Sequence, residues 1–336
     1  MQESRRILII RSALVLFGLL IAFTICEISF RFYLRKNYKK EVADWRSPLY
    51  KLNPGELPEY SLYPNAEGVA GSKAKWPYKT NADGFRGPLY QGRTPGKIRI
   101  AVLCDSYGFG WGLKKGESPF PEHLQRIIPN SEVVNLSVPG YNTIIESQLL
   151  RRAIPKYHPD IIIMAYVMND SEPPNVIPES PDIAYQFTNS WLWEKIKDEL
   201  NARIFDGEHF FQEDIYKWSR YGNYIPSFEE NSMKWKLTKA ALQSAGVECK
   251  LHRIPFFLVI LPAFEVPFGD KYKYAQIHET VSSWGHEFNI TTLDLFPFFK
   301  GMDYNSLSVP NDGHPNERAS ILIAEQIALL ITRKAL

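Results

Sequence analysis

The feature that most limits what this chain can fold into is the stretch Lys97 to Gly112, KIRIAVLCDSYGFGWG. Ile98, Ile100, Ala101, Val102 and Leu103 form a short, nearly unbroken apolar run, which stops at Cys104-Asp105-Ser106. Gly108, Gly110 and Gly112 then make a glycine-rich turn. Such a run with polar residues at its C-terminal edge predicts a buried parallel strand that delivers side chains to the crevice of an α/β sheet. Ser106 is thereby a candidate nucleophile, in a position where backbone N–H groups point at developing negative charge.

The pattern repeats downstream. The spacing predicts helices over 120–128, 142–157, 232–251, 272–288 and 318–332. It predicts strands over 132–136, 160–167, 256–261 and 290–295. Alternation of this length implies a mostly parallel, three-layer sheet with right-handed crossovers. With 336 residues and 45% hydrophobic content, the chain can bury one large core. Its net charge of +2 is too balanced to indicate a nucleic-acid partner. The three cysteines have no metal-ligand spacing, and neither do the histidines outside the last block. The glycines at 108, 110 and 112 match neither the dinucleotide fingerprint nor a P-loop.

Three regions stand outside the alternation. Residues 1–40 carry the uncharged run Ser12 to Cys26, extended by Ile7 to Ile10 and Ile28 to Phe30, and read as an N-terminal transmembrane anchor with basic flanks. A cleaved signal peptide is the rival reading, with no small-x-small cleavage site to support it. Residues 41–96 read as an irregular stalk or lead-in, with a turn at Asn81 to Gly87. The 97–336 domain is interrupted at 171–230, where prolines, charges and aromatics predict an insertion over the site.

Serine catalysis needs a base, a group that holds the base, and donors for the oxyanion. Gly140 follows one predicted strand and Asn169 another. His314 lies in the turn Asn311-Asp312-Gly313-His314-Pro315-Asn316 before the last helix. On these four residues, in order and each in its own block, the chain resembles the SGNH, or GDSL-like, hydrolases. The resemblance spans about residue 97 to the C-terminus, and the Asn81 to Gly87 lead-in is similar to that of bacterial membrane-anchored members.

The resemblance implies a flavodoxin-like fold, Ser106 as nucleophile and His314 as base. It also implies an oxyanion hole from the backbone N–H groups of Ser106 and Gly140 and the Asn169 side chain, with no metal or organic cofactor. The sequence departs from the family pattern at three places. Cys104 and Val167 replace glycines, and Asn311 stands where an aspartate precedes the histidine by three residues. Either Asp312 or Asn311 would hold His314, and an amide does not stabilise imidazolium as a carboxylate does. The expected activity is that of a membrane-anchored esterase on an O-acyl ester, with an envelope glycan or lipid as substrate. An O-acyltransferase with the same residues and an inactive anchored binding module are the alternatives. Anchored relatives of this kind imply an extracytoplasmic catalytic domain.

Overall fold

The computed structural model describes residues 49–53, 58, 60–70, 76–172, 224–310 and 312–335, and scattered helical residues between 6 and 29. The chain divides into two units, Met1–Trp45 with Ile177–Lys217 and Arg46–Val176 with Trp218–Leu336. In the first, the described residues are helical and mostly exposed. The expected single-pass anchor is corrected here: among the described residues, no helix is long and apolar enough to cross a membrane. Arg11 and Glu27 bound an uncharged run of 15 residues, Ser12 to Cys26. A span needs about 20 residues, so this run is about a quarter short.

The second unit contains the alternation. Its strands are β5 (Ile98–Leu103), β6 (Ser131–Asn135), β7 (Ile161–Tyr166), β8 (Phe256–Ile260) and β9 (Thr291–Asp294). They pair in the order β6-β5-β7-β8-β9, every neighbour parallel. The helices are α1 (Ser106–Phe109), α2 (Phe120–Ile127), α3 (Thr143–Tyr157), α4 (Met233–Leu251), α5 (Ala275–Glu287), α6 (Phe296–Phe299) and α7 (Glu317–Lys334). Right-handed crossovers place α2 on one face of the sheet and α3, α4 and α5 on the other. In agreement, α2 packs on α7, and α3 on α4. The result is a three-layer α/β sandwich with a central five-stranded parallel sheet.

Strand β7, IIIMAY, is buried at every residue, as its unbroken apolar sequence requires. Arg99 is the exception within β5. It is buried at the far edge from the site, where Nη2 meets Glu132 Oε2 at 2.6 Å and Nη1 donates to the Tyr157 carbonyl at 2.7 Å. The chain changes direction across the sheet between β5 and β7. A crevice opens at such a switch point beyond the C-terminal strand ends, and ligands bind there.

Residues 41–96, expected to be irregular, hold four short strands in two antiparallel pairs. These are β1 (Tyr50–Leu52) with β2 (Tyr60–Leu62), and β3 (Glu67–Ala70) with β4 (Trp76–Lys79). The strands are three or four residues long, too short for alternation to show in sequence. Tyr60, Leu62, Trp76 and Tyr78 join Phe109, Val138 and Tyr141 in a second apolar cluster. The Trp76 ring lies 6.3 Å from Phe109 and 4.4 Å from Trp111, both just after Ser106. Trp76→Ala should therefore cost about 3–5 kcal/mol in denaturant unfolding, as for other buried aromatics. A change below about 0.5 kcal/mol would mark this segment as a stalk that packs on nothing.

Candidate active site

Ser106 is the first residue of α1, a helix of four residues. Asp105 caps it: Oδ1 accepts the Tyr107 N–H at 2.9 Å. Gly110 ends it in the left-handed region, at φ 81°, with its N–H donating to the Ser106 carbonyl. The turn is tight because the backbone comes close to its neighbours. A Cβ on Gly108 would stand 2.1 Å from Ser137 Oγ and 2.7 Å from Cys104 Cβ. The same contact explains Cys104. This residue is absent from the positive-φ positions, and its side chain lies where Gly108 has none. Val167 is likewise in extended backbone, at φ −118° and ψ 161°, and needs no glycine there.

His314 comes from the other end of the chain. Its carbonyl accepts the Val309 N–H at 2.7 Å, and Ser308 bridges Pro315. Asn316 pins the loop from behind, donating from Nδ2 to the Ser306 and Ser308 carbonyls at 3.0 and 3.3 Å. The same side chain caps α7 by accepting the Ala319 N–H. A polar residue ahead of a helical stretch is a legible cap; its second task is not. Gly313 sits at φ 80°, which a side chain rarely adopts. This turn lets residues two apart face each other.

The structure brings Ser106, His314 and Asp312 into one line. His314 Nε2 lies 2.8 Å from Ser106 Oγ, and His314 Nδ1 bonds Asp312 Oδ1. Asn311, the other candidate to hold the ring, lies outside the described residues, as does most of the expected 171–230 insertion. Burial pushes the Asp312 carboxyl up. The hydrogen bonds and charge of His314, with the Trp111 indole N–H, outweigh it and hold the group below its ordinary value. An ionised Asp312 is acceptor-only, which fixes the proton on Nδ1 and leaves Nε2 to accept from the serine.

Two aromatics frame the imidazole and were not singled out from sequence. Tyr107 meets it edge-on at 5.4 Å, and Trp111 lies tilted at 6.2 Å. The Tyr107 hydroxyl reaches the Gly313 carbonyl at 3.4 Å. Their position one and five residues after Ser106 was the available signal.

Gly140 and Asn169 follow the two strands that flank β5. Gly140 has φ 85° in the loop after β6. The hydroxyls of Tyr50 and Tyr60 reach the Pro139 carbonyl, each at 3.5 Å, and the Tyr141 hydroxyl donates to the Tyr60 carbonyl at 2.7 Å. The lead-in thus holds the glycine turn. Asn169 lies in the 3₁₀ turn Met168–Ser171 after β7, and its Nδ2 donates to Asp105 Oδ2 at 3.3 Å. Among the described residues, no group of three His, Cys, Asp or Glu side chains is arranged to hold a metal ion.

This arrangement of nucleophile and imidazole is that of a serine ester hydrolase. Residues 103–320 match the GDSL-like lipase/acylhydrolase family, and the chain belongs to that family. No curated protein matches it. Similar solved structures include that of TesA, 12% identical, with 70% of this chain and 98% of that chain covered and a TM-score of 0.44. The psychrotrophic esterase EstA from Pseudoalteromonas sp. is 14% identical, with coverages of 70% and 98% and a TM-score of 0.43. A two-domain esterase (CEX) active on acetylated mannans is 14% identical, with coverages of 71% and 50% and a TM-score of 0.39.

The lowered Asp312 carboxyl has a pH signature. A depressed carboxyl stabilises the fold fully above its ordinary value of 3.8, and this contribution is lost as pH falls through the lower folded value. The melting-temperature gap between wild type and Asp312→Asn should narrow steadily as pH falls below about 4. A gap that is independent of pH down to acid unfolding would contradict the lowered Asp312 carboxyl.

Proposed function

We propose that the protein cleaves O-acyl esters through a covalent acyl-enzyme on Ser106. The observation that carries this reading is the unbroken line from Asp312 through His314 to the Ser106 hydroxyl. His314 Nε2 takes the hydroxyl proton as Oγ attacks the acyl carbon, and Asp312 steadies the imidazolium that results. The Ser106 and Gly140 N–H groups and the Asn169 carboxamide receive the oxyanion. His314 then returns its proton to the leaving alcohol as the ester C–O bond breaks. Water next adds to the acyl-enzyme, giving its proton to the imidazole. Collapse of that second intermediate frees the acid and restores the serine hydroxyl. Asp312 rather than Asn311 holds the base in this scheme. The acyl group sits on a glycan or a lipid alcohol.

The test is hydrolysis of p-nitrophenyl acetate, followed by a panel of acetylated sugars and acylglycerols. Ser106→Ala and His314→Ala should each lower kcat by at least about 10⁴, with the melting temperature of Ser106→Ala unchanged. Free acid should appear in step with alcohol. Retention of more than about a tenth of the activity by Ser106→Ala would remove the proposed nucleophile. Acyl groups recovered on an added sugar instead of as free acid would make the enzyme a transferase.

A further inference from the structure

Ser106 and Asn169 converge on a residue to which the reaction scheme assigns no part. Asp105 is 1% exposed, and its two oxygens face different tasks. Oδ1 accepts the Tyr107 N–H at 2.9 Å and lies 3.7 Å from Cys104 Sγ, so it holds the start of α1. Oδ2 faces the reaction side, 3.1 Å from Ser106 Oγ and 3.3 Å from Asn169 Nδ2.

We infer that Asp105 is a positioning residue that sets the orientation of the Asn169 carboxamide, so that N–H and not C=O faces the reacting carbon. A carboxamide has two nearly isosteric ends, and only hydrogen-bond partners decide which way it points. The 3.3 Å contact from Nδ2 to Asp105 Oδ2 supplies that decision. Asn169 Oδ1 is buried with no hydrogen-bond partner, so nothing on its own side fixes the amide. Reversal would set two acceptors against each other at Asp105. One amide hydrogen is committed to Asp105, and the second is left for the oxyanion. Since the same oxygen also lies beside Ser106 Oγ, nucleophile and carboxamide are referred to one atom.

Two further buried carboxyl groups, Glu146 and Asp170, lie close to Asp105. Both are fully buried, and Asp170 Oδ2 accepts the Val167 N–H at 3.0 Å. Burial, then the charge of nearby carboxylates, holds both groups well above the ordinary carboxyl range. Cys104 Sγ, Ser106 Oγ, the Tyr107 N–H and Asn169 Nδ2 lie around the Asp105 carboxyl.

This inference rests on Asn169 serving the oxyanion, and the experiment keeps the two apart. Asp105→Asn retains shape and a capping oxygen for Tyr107, but it sets an amide N–H₂ against that of Asn169. It should lower kcat on p-nitrophenyl acetate by about 10²–10³, the cost of one lost oxyanion donor, with KM changed less than about threefold. Asn169→Ala should cost a similar factor. In the Asn169→Ala background, Asp105→Asn should cost less than about threefold more, because residues that act through one another are not additive.

An equal kcat loss from Asp105→Asn in both backgrounds overturns the inference and leaves the oxyanion role of Asn169 standing. Full activity in Asn169→Ala overturns both. Asp105→Ser, which keeps a capping oxygen and removes the carboxylate, provides the same comparison if the asparagine variant does not fold. Equal losses from the serine variant in the two backgrounds would overturn the inference in the same way.

Discussion

Strand β5 lies between β6 and β7 and is hydrogen-bonded to both, so its end cannot move independently of theirs. The three strands finish at Asn135, Leu103 and Tyr166, and the residues that follow each carry a part of the site. Asp105 and Ser106 follow β5, Gly140 follows β6, and Asn169 follows β7. The sheet reverses direction between β5 and β7, so no crossover fills the space above their ends. Parallel pairing therefore does two things at once. It buries the apolar runs that make the core, and it gathers polar groups from three chain segments in one crevice.

His314 is the exception, since it does not sit at a strand end. It reaches the serine from a loop more than 200 residues away in sequence. The loop is fixed by Asn316, by the Ser308–Pro315 bridge and by the rings of Tyr107 and Trp111. Trp111 also touches the second apolar cluster through Trp76. The small sheets ahead of β5 thus bear on the site from two sides, through Trp111 at the imidazole and through Tyr50 and Tyr60 at the Gly140 turn. Their aromatic side chains supply these contacts.

The large elements were legible in sequence because each carries a periodic signal. Every strand of the main sheet, and each of the five longer helices packed on it, falls within three residues of its expected bounds, from 120–128 for α2 to 318–332 for α7. The four short strands before β5 were not legible, since three or four residues hold too little alternation. Ser106, Gly140, Asn169 and His314 were candidates from their blocks, with Asp312 and Asn311 as alternatives for holding the ring, and the structure places His314 within hydrogen-bond reach of both Ser106 and Asp312. What pairing alone decides was hidden. The contact of Asn169 with Asp105, and of the Trp111 indole with Asp312, depends on how the crevice closes. The anchor expectation failed for a different reason. The apolar composition at 7–30 is real, but no described helix there has the length and uninterrupted hydropathy that a bilayer requires.

The central claim is that one hydroxyl, at Ser106, takes up the acyl group. Peptide mass spectrometry after reaction with a fluorophosphonate addresses it most directly, because the reagent is attacked only by an activated nucleophile and leaves a stable adduct. The account predicts a single phosphonylated peptide containing Ser106 in the wild-type protein, and no adduct in Ser106→Ala. An adduct on any other residue, or an unmodified wild-type protein with its fold intact, would contradict it.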